Sequence, residues 1–207
     1  MRLAIVGDQS FGDPNRLAAV LDAALGSADF VVQVGDLHPG YAVVAERLAT
    51  GKLLVVPGNH DTEWSTQLSQ LPRQWIRELP EVRLIGLDNS GDIIDQKDWD
   101  ILNAVPVDGK PTFVFVHKPL STLVLPDGTE SNHIMGEGSP NASAVQLRDW
   151  VRKNGATMCC GHYHGWTYMK APYGDVILDG RGGAASQLGY TLINIYKEGW
   201  IFHPVNI

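Results

Sequence analysis

Short, nearly unbroken apolar runs recur along the chain, and most stop at glycine and a polar residue. Residues 3–6, 30–34, 53–56, 112–116 and 157–160 are such runs. Runs of this length bounded by turn residues read as strands buried on both faces. They lead in turn into Gly7-Asp8, Gly35-Asp36, Gly58-Asn59-His60-Asp61, His117-Lys118-Pro119 and Gly161-His162-Tyr163-His164. Between the first three runs the spacing changes to helical. Asp13 as N-cap and Pro14 at the first helical position open a helix whose apolar face is Leu17, Val20, Leu21, Ala24 and Leu25, and Gly26 ends it. A second helix is expected over 42–49. This β-α-β-α-β order predicts a mainly parallel sheet, whose strand C-terminal ends lie along one edge.

The rest of the chain is read the same way. Trp64, Leu68, Leu71, Trp75, Ile76 and Leu79 predict short helices over 62–80, interrupted by Pro72. A strand is expected over 82–87 and a short helix over 98–104. Residues 120–139 are rich in Gly, Pro and Ser and read as a long surface loop of the kind that borders sites. A helix over 142–153 presents Val145, Trp150 and Val151, and Gly155 ends it. Strands are expected over 176–178, 191–196 and 200–202.

Composition narrows the function. The chain has 207 residues, which fits one domain over 1–207 with no separate cap. The net charge of −7 argues against a protein that tracks long nucleic acid by its field. No apolar run reaches the roughly 18 residues of a membrane span, and the N-terminus reads as a first strand rather than a signal peptide. Cys159 and Cys160 are neighbours, which strains any bridge between them; both read as core residues, and a cytoplasmic, reducing location is expected.

The run ends together offer two carboxylates (Asp8, Asp36), one amide (Asn59) and four imidazoles (His60, His117, His162, His164). Oxygen and imidazole donors without thiolate suit manganese, iron or zinc. His162 and His164, two apart, project to one face of an extended segment and can serve neighbouring ions.

In order and spacing these elements resemble the calcineurin-like metallophosphoesterase superfamily, whose pattern is D-x-H, G-D, G-N-H-D/E, a lone H, then G-H-x-H. The resemblance runs from Asp8 to His164. It implies a four-layer α-β-β-α sandwich of two mixed sheets flanked by helices, with a two-metal site at the strand C-terminal ends. Asp36 then bridges the ions, Asp8 and His164 bind the first, and Asn59, His117 and His162 bind the second. His60 stands near the leaving group as general acid or transition-state stabiliser, and Asp61 orients it. The implied reaction is hydrolysis of a phosphodiester or phosphomonoester in a small phosphorylated substrate by metal-activated hydroxide, with diesters favoured.

One position departs from the pattern: Ser10 stands where the first motif has histidine. A substitute ligand (His38 first, then Gln9 or Asp13), water, or a degenerate first site are the three alternatives. The purple acid phosphatase branch fills this gap with a tyrosine three residues after the bridging Asp, but here that position is Pro39. A degenerate site makes the alternative function a non-catalytic scaffold of this fold. The stretch around Asp36 lacks the Arg of the G-D-x-x-x-R-G branches. Arg181, in the Gly-rich stretch 179–183, is a candidate phosphate ligand.

Overall fold

The computed structural model describes residues 1–8, 13–125, 127–131, 133–136, 139–181 and 188–207. Its first three strands, β1 (Arg2–Val6), β2 (Phe30–Val34) and β3 (Leu53–Val56), pair in parallel and in chain order. The helices α1 (Pro14–Ser27) and α2 (Tyr41–Leu48) are the two crossovers. Two late strands, β12 (Gly189–Tyr196) and β13 (Gly199–Asn206), extend this sheet antiparallel beyond β1, giving the order β13-β12-β1-β2-β3.

The second sheet has the order β10-β11-β9-β6-β5-β4. Its parallel centre is β5 (Arg83–Gly86), β6 (Thr112–Phe115), β9 (Thr157–Cys160) and β11 (Gly174–Asp179). Its antiparallel edges are β4 (Trp75–Glu78) and β10 (Trp166–Ala171). The remaining helices are α3 (Trp64–Gln67), α4 (Gln96–Ala104) and α5 (Ala142–Asn154). A small hairpin, β7 (Leu123–Val124) with β8 (Glu130–Ser131), sits inside the expected loop 120–139.

Strand alternation builds the layers. Leu3, Ile5, Val32 and Val34 point at Phe113, Phe115, Cys159 and Ile177 of the other sheet. Ala4, Val6 and Val31 point the other way, onto Leu17, Val20, Leu21 and Ala24 of α1. On the far side, Val114, Met158 and Cys160 pack on Leu102 of α4 and on Ala144, Leu147 and Val151 of α5. The result is the α-β-β-α sandwich of two mixed sheets. The adjacent cysteines are free, and each occupies a different core layer.

Two local expectations change, and one strand is new. Residues 75–78 form an edge strand rather than a helix: they pair antiparallel with β5, and the Trp75 indole N–H bonds to Val55 O at 2.6 Å, tying the sheets at their edges. Val145 is 41% exposed; Ala144, Leu147 and Val151 are the buried face of α5. The strand at 166–171 has no long apolar run to announce it, since its residues are mostly half-buried.

Two buried polar side chains join the second sheet to its loops. Asn89 Oδ1 accepts from His117 N–H (2.9 Å) and Lys118 N–H (3.0 Å), and its Nδ2 donates to Lys118 O (2.8 Å). Asn89→Ala leaves three buried backbone groups unpaired, so a loss of about 2–5 kcal/mol in urea unfolding is expected; a change within measurement error would remove this role. Asp98 forms a capping box with Asp95 and accepts from Asp88 N–H at 3.1 Å. Burial raises its pKa to about 7 even against those hydrogen bonds. Folding therefore takes up a proton there: the stabilisation is complete below the unfolded value of about 4 and is lost as pH rises through 7. Denaturant titrations across that window should show a flatter pH dependence for Asp98→Asn than for the wild type, and parallel slopes would contradict it.

Candidate metal centre

Three strands leave the core in one manner. Val6, Val34 and Cys160 end β1, β2 and β9; a glycine follows each; and the next residue, Asp8, Asp36 or His162, takes a positive φ of 52°, 58° or 69°. Asp and His tolerate this region better than branched residues, yet each such turn still costs about 1 kcal/mol or more. Among the described residues the only other non-glycine case is Asp92, which holds Lys118 Nζ at 2.7 Å. Backbone strain is thus concentrated where the chemistry-bearing side chains leave the strands.

These exits belong to two sheets, not to one edge as the sequence pattern predicts. Asp8, Asp36 and Asn59 follow β1, β2 and β3, while His117 and His162 follow β6 and β9. The site lies on the seam between them. His117 Nδ1 donates across it to Val34 O at 2.8 Å, and His162 N–H donates to Asp8 Oδ2 at 2.8 Å. The seam is tight. At Gly35 (φ +94°) a Cβ would come within 2.5 Å of His117 Nδ1, and at Gly161 within 2.7 Å of Asp8 Oδ2.

With Nδ1 committed to Val34, the Nε2 of His117 faces Asn59 Oδ1 at 2.9 Å, His162 Nδ1 at 3.1 Å and Asp36 Oδ1 at 3.3 Å. Ligand atoms of Asp36, His117 and His162 all lie within 4.8 Å of one another. Asp8 Oδ1 is buried with no hydrogen-bond partner. Ligand-type atoms converging on one spot beside an orphaned buried carboxylate oxygen are the arrangement a cation completes. The donors are oxygen and imidazole; both thiols are buried elsewhere in the core. The residues therefore fit a metal ion that takes oxygen and imidazole ligands.

The electrostatics agree. Burial holds the Asp8 carboxyl well above its usual range, with Asp36 adding to it and His117 opposing. Burial also acts on Asp36, but the hydrogen bond and charge of His117 outweigh it and drive its pKa down. His117 is raised to about 9, its desolvation overcome by Asp36 and Asp8. His162 is lowered to about 3 by desolvation and by His117. His164 is lowered by desolvation, though its ring is more exposed.

Other expected site residues lie differently. His60 is exposed, and its backbone N–H donates to Asp36 Oδ1 at 3.1 Å. The Asp61 carboxylate accepts from the backbone N–H of Gly58 (2.7 Å), Leu37 (2.7 Å) and His38 (3.1 Å). It braces the exits of β2 and β3 against each other instead of orienting the His60 imidazole. His38 is exposed, edge-on to Tyr41 at 5.9 Å, and is not among the converging ligand atoms found in the described residues. Asp13 caps α1 through Asn15 N–H. Gln9 and Ser10 lie outside the described residues, as do Gly182 and Gly183.

Arg181 is buried. Its Nε and Nη2 bond to Asp179 at 3.0 and 2.8 Å, and its Nη1 to Val205 O and Asn206 Oδ1. Parting a buried pair of this kind costs about 3–5 kcal/mol, so the guanidinium is not available to clamp a phosphate. Two contributors went unmarked in the sequence. Asn89, which fixes the His117 backbone, looks like an ordinary turn residue after an apolar strand. His133, in the Gly- and Pro-rich stretch 120–139, brings its ring to a centroid distance of 6.0 Å from that of His162. The buried neighbours Ile134 and Met135 anchor the segment that carries it.

Comparison with known proteins gives this geometry a family. A search of curated proteins finds no match. Solved structures share the fold at low identity. GAP50, the anchor in the inner membrane complex of Plasmodium, is 13% identical with a TM-score of 0.68 over 100% of this chain and 84% of that one. A novel archaeal phosphodiesterase is 13% identical with a TM-score of 0.55, covering 100% of each chain. A single mutant of Vps29 from Entamoeba histolytica is 12% identical with a TM-score of 0.51, over 100% and 99%. The model of the calcineurin-like phosphoesterase family matches residues 1–166, and this chain belongs to that family.

Proposed function

We propose that this protein is a metal-dependent phosphoesterase that favours diesters over monoesters. One observation carries the reading: Asp36, His117 and His162 converge within 4.8 Å beside the orphaned, buried Asp8 Oδ1. Asp36, Asn59, His117 and His162 would hold one ion, and Asp8, Asp36 and His164 a second. When bound, such ions polarise phosphoryl oxygens and make hydroxide available near neutral pH.

The chain's own residues supply the remainder. The Val34 carbonyl holds the Nδ1–H of His117, so Nε2, which Asp36 and Asp8 keep protonated, is the atom at which an ion would replace that proton. Asp61 holds the loop of Asn59 and His60 by its three backbone hydrogen bonds. His60, exposed at the mouth with its backbone tied to Asp36, is the donor for the leaving-group oxygen. The preference for diesters rests on the charges. Lys118 is paired with Asp92 and Arg181 with Asp179, so neither is available for the second negative charge of a monoester.

The test is turnover of bis-p-nitrophenyl phosphate, p-nitrophenyl phosphate and cyclic nucleotides after reconstitution with manganese, iron or zinc. Turnover of none of them with any of these metals would refute the enzyme reading and leave a scaffold of this fold. His60→Ala is expected to lower kcat by about 10²–10⁴ while metal content stays constant. His117→Ala should lower the bound metal measured by elemental analysis, as well as activity. Unchanged metal content in that variant would remove His117 from the ligand set.

A further inference from the structure

A pocket of about 660 Å³ opens beside His164, two residues beyond His162. That volume lies within the range of sites that hold small organic molecules. Leu125, Trp166, Leu188 and Pro204 supply apolar wall. Trp166 is held in place: its indole N–H donates to Thr191 Oγ1 (2.9 Å), and that hydroxyl donates to Asp179 Oδ2 (2.8 Å). The same carboxylate takes Arg181, so the guanidinium in this wall is already neutralised. Asp127, on the exposed hairpin turn, is the other charged residue among the described lining. A hydrogen bond from Thr129 N–H favours its ionised form. The pocket is therefore partly apolar, rigid on its Trp166 side, and negative.

We propose that this pocket takes the organic group esterified to the phosphate, that this group is uncharged or cationic and carries apolar surface, and that Asp127 discriminates against anionic groups. The inference rests on the phosphoesterase reading above. A second phosphate or a carboxylate on the substrate would face Asp127 with no unpaired cation in the described wall to receive it. An uncharged ring or a quaternary ammonium would lie on Trp166 and the aliphatic side chains at no such cost.

Three p-nitrophenyl diesters test this on the metal-loaded full-length protein: p-nitrophenyl phosphorylcholine, thymidine 5′-(p-nitrophenyl phosphate), and the same nucleotide carrying a 3′-phosphate. The first two should exceed the third in kcat/KM by about tenfold or more, the scale of a like-charge penalty at a binding surface. Asp127→Lys, a change at an exposed position, should narrow or invert that ratio. Equal turnover of all three, or a ratio untouched by Asp127→Lys, overturns the pocket assignment and leaves the phosphoesterase reading standing. No turnover of these or of bis-p-nitrophenyl phosphate overturns both.

Discussion

Two hydrogen bonds across the seam between the sheets set the terms for the rest of the molecule. His117 Nδ1 reaches Val34 O, and His162 N–H reaches Asp8 Oδ2, each at 2.8 Å. To make them, the ends of β6 and β9 must lie against the ends of β2 and β1. That closeness excludes a side chain at Gly35 and Gly161. It also forces polar groups into a place the two sheets seal from water, which is why Asp8 and His117 are completely buried. Asn89 and Asp61 then serve one purpose from opposite sides. Each spends its side chain on backbone N–H groups so that a strand exit cannot drift.

The charges gathered there cannot all be satisfied by protons. Asp8 is pushed up, Asp36 down, His117 up to about 9 and His162 down to about 3. Neighbours driven apart in this way mark a site where burial and like charges are tolerated for chemistry. The surrounding cations do not relieve it, since Lys118 and Arg181 each answer to their own carboxylate. The distribution of charge leads from a cation-seeking centre outward to a negative rim at Asp127.

Much of this was legible in the sequence. A strand ending in glycine and a ligand-type residue is a local pattern, and β1, β2, β3, β6 and β9 all end in ligand-type residues. The N-cap at Asp13 and the αL stop at Gly155 are local too. What could not be read is the division of those exits between two sheets, because nothing in a strand's residues names its neighbour. The same limit applies to side-chain partners. Asp61 follows His60 directly, yet its carboxylate turns to the backbone of Gly58 and Leu37. Arg181 reads from the sequence as a candidate phosphate ligand, and only the arrival of β13 and Asp179 buries and pairs it. Residues 75–78 read as helical, and pairing with β5 together with the Trp75 bond to β3 makes them a strand.

The seam has a thermodynamic consequence. Asp36 comes from one sheet and His117 and His162 from the other, so an ion bound by all three cross-links segments far apart in the chain. Its binding free energy is then also docking free energy for the two halves of the sandwich, since the separated sheets offer no comparable set of donors. Occupancy and cohesion become one equilibrium. The amides at the ends of β2, β6 and β9 would open to solvent least often when the centre is filled, and an ion lost from the centre would first be felt as a loosening between the sheets.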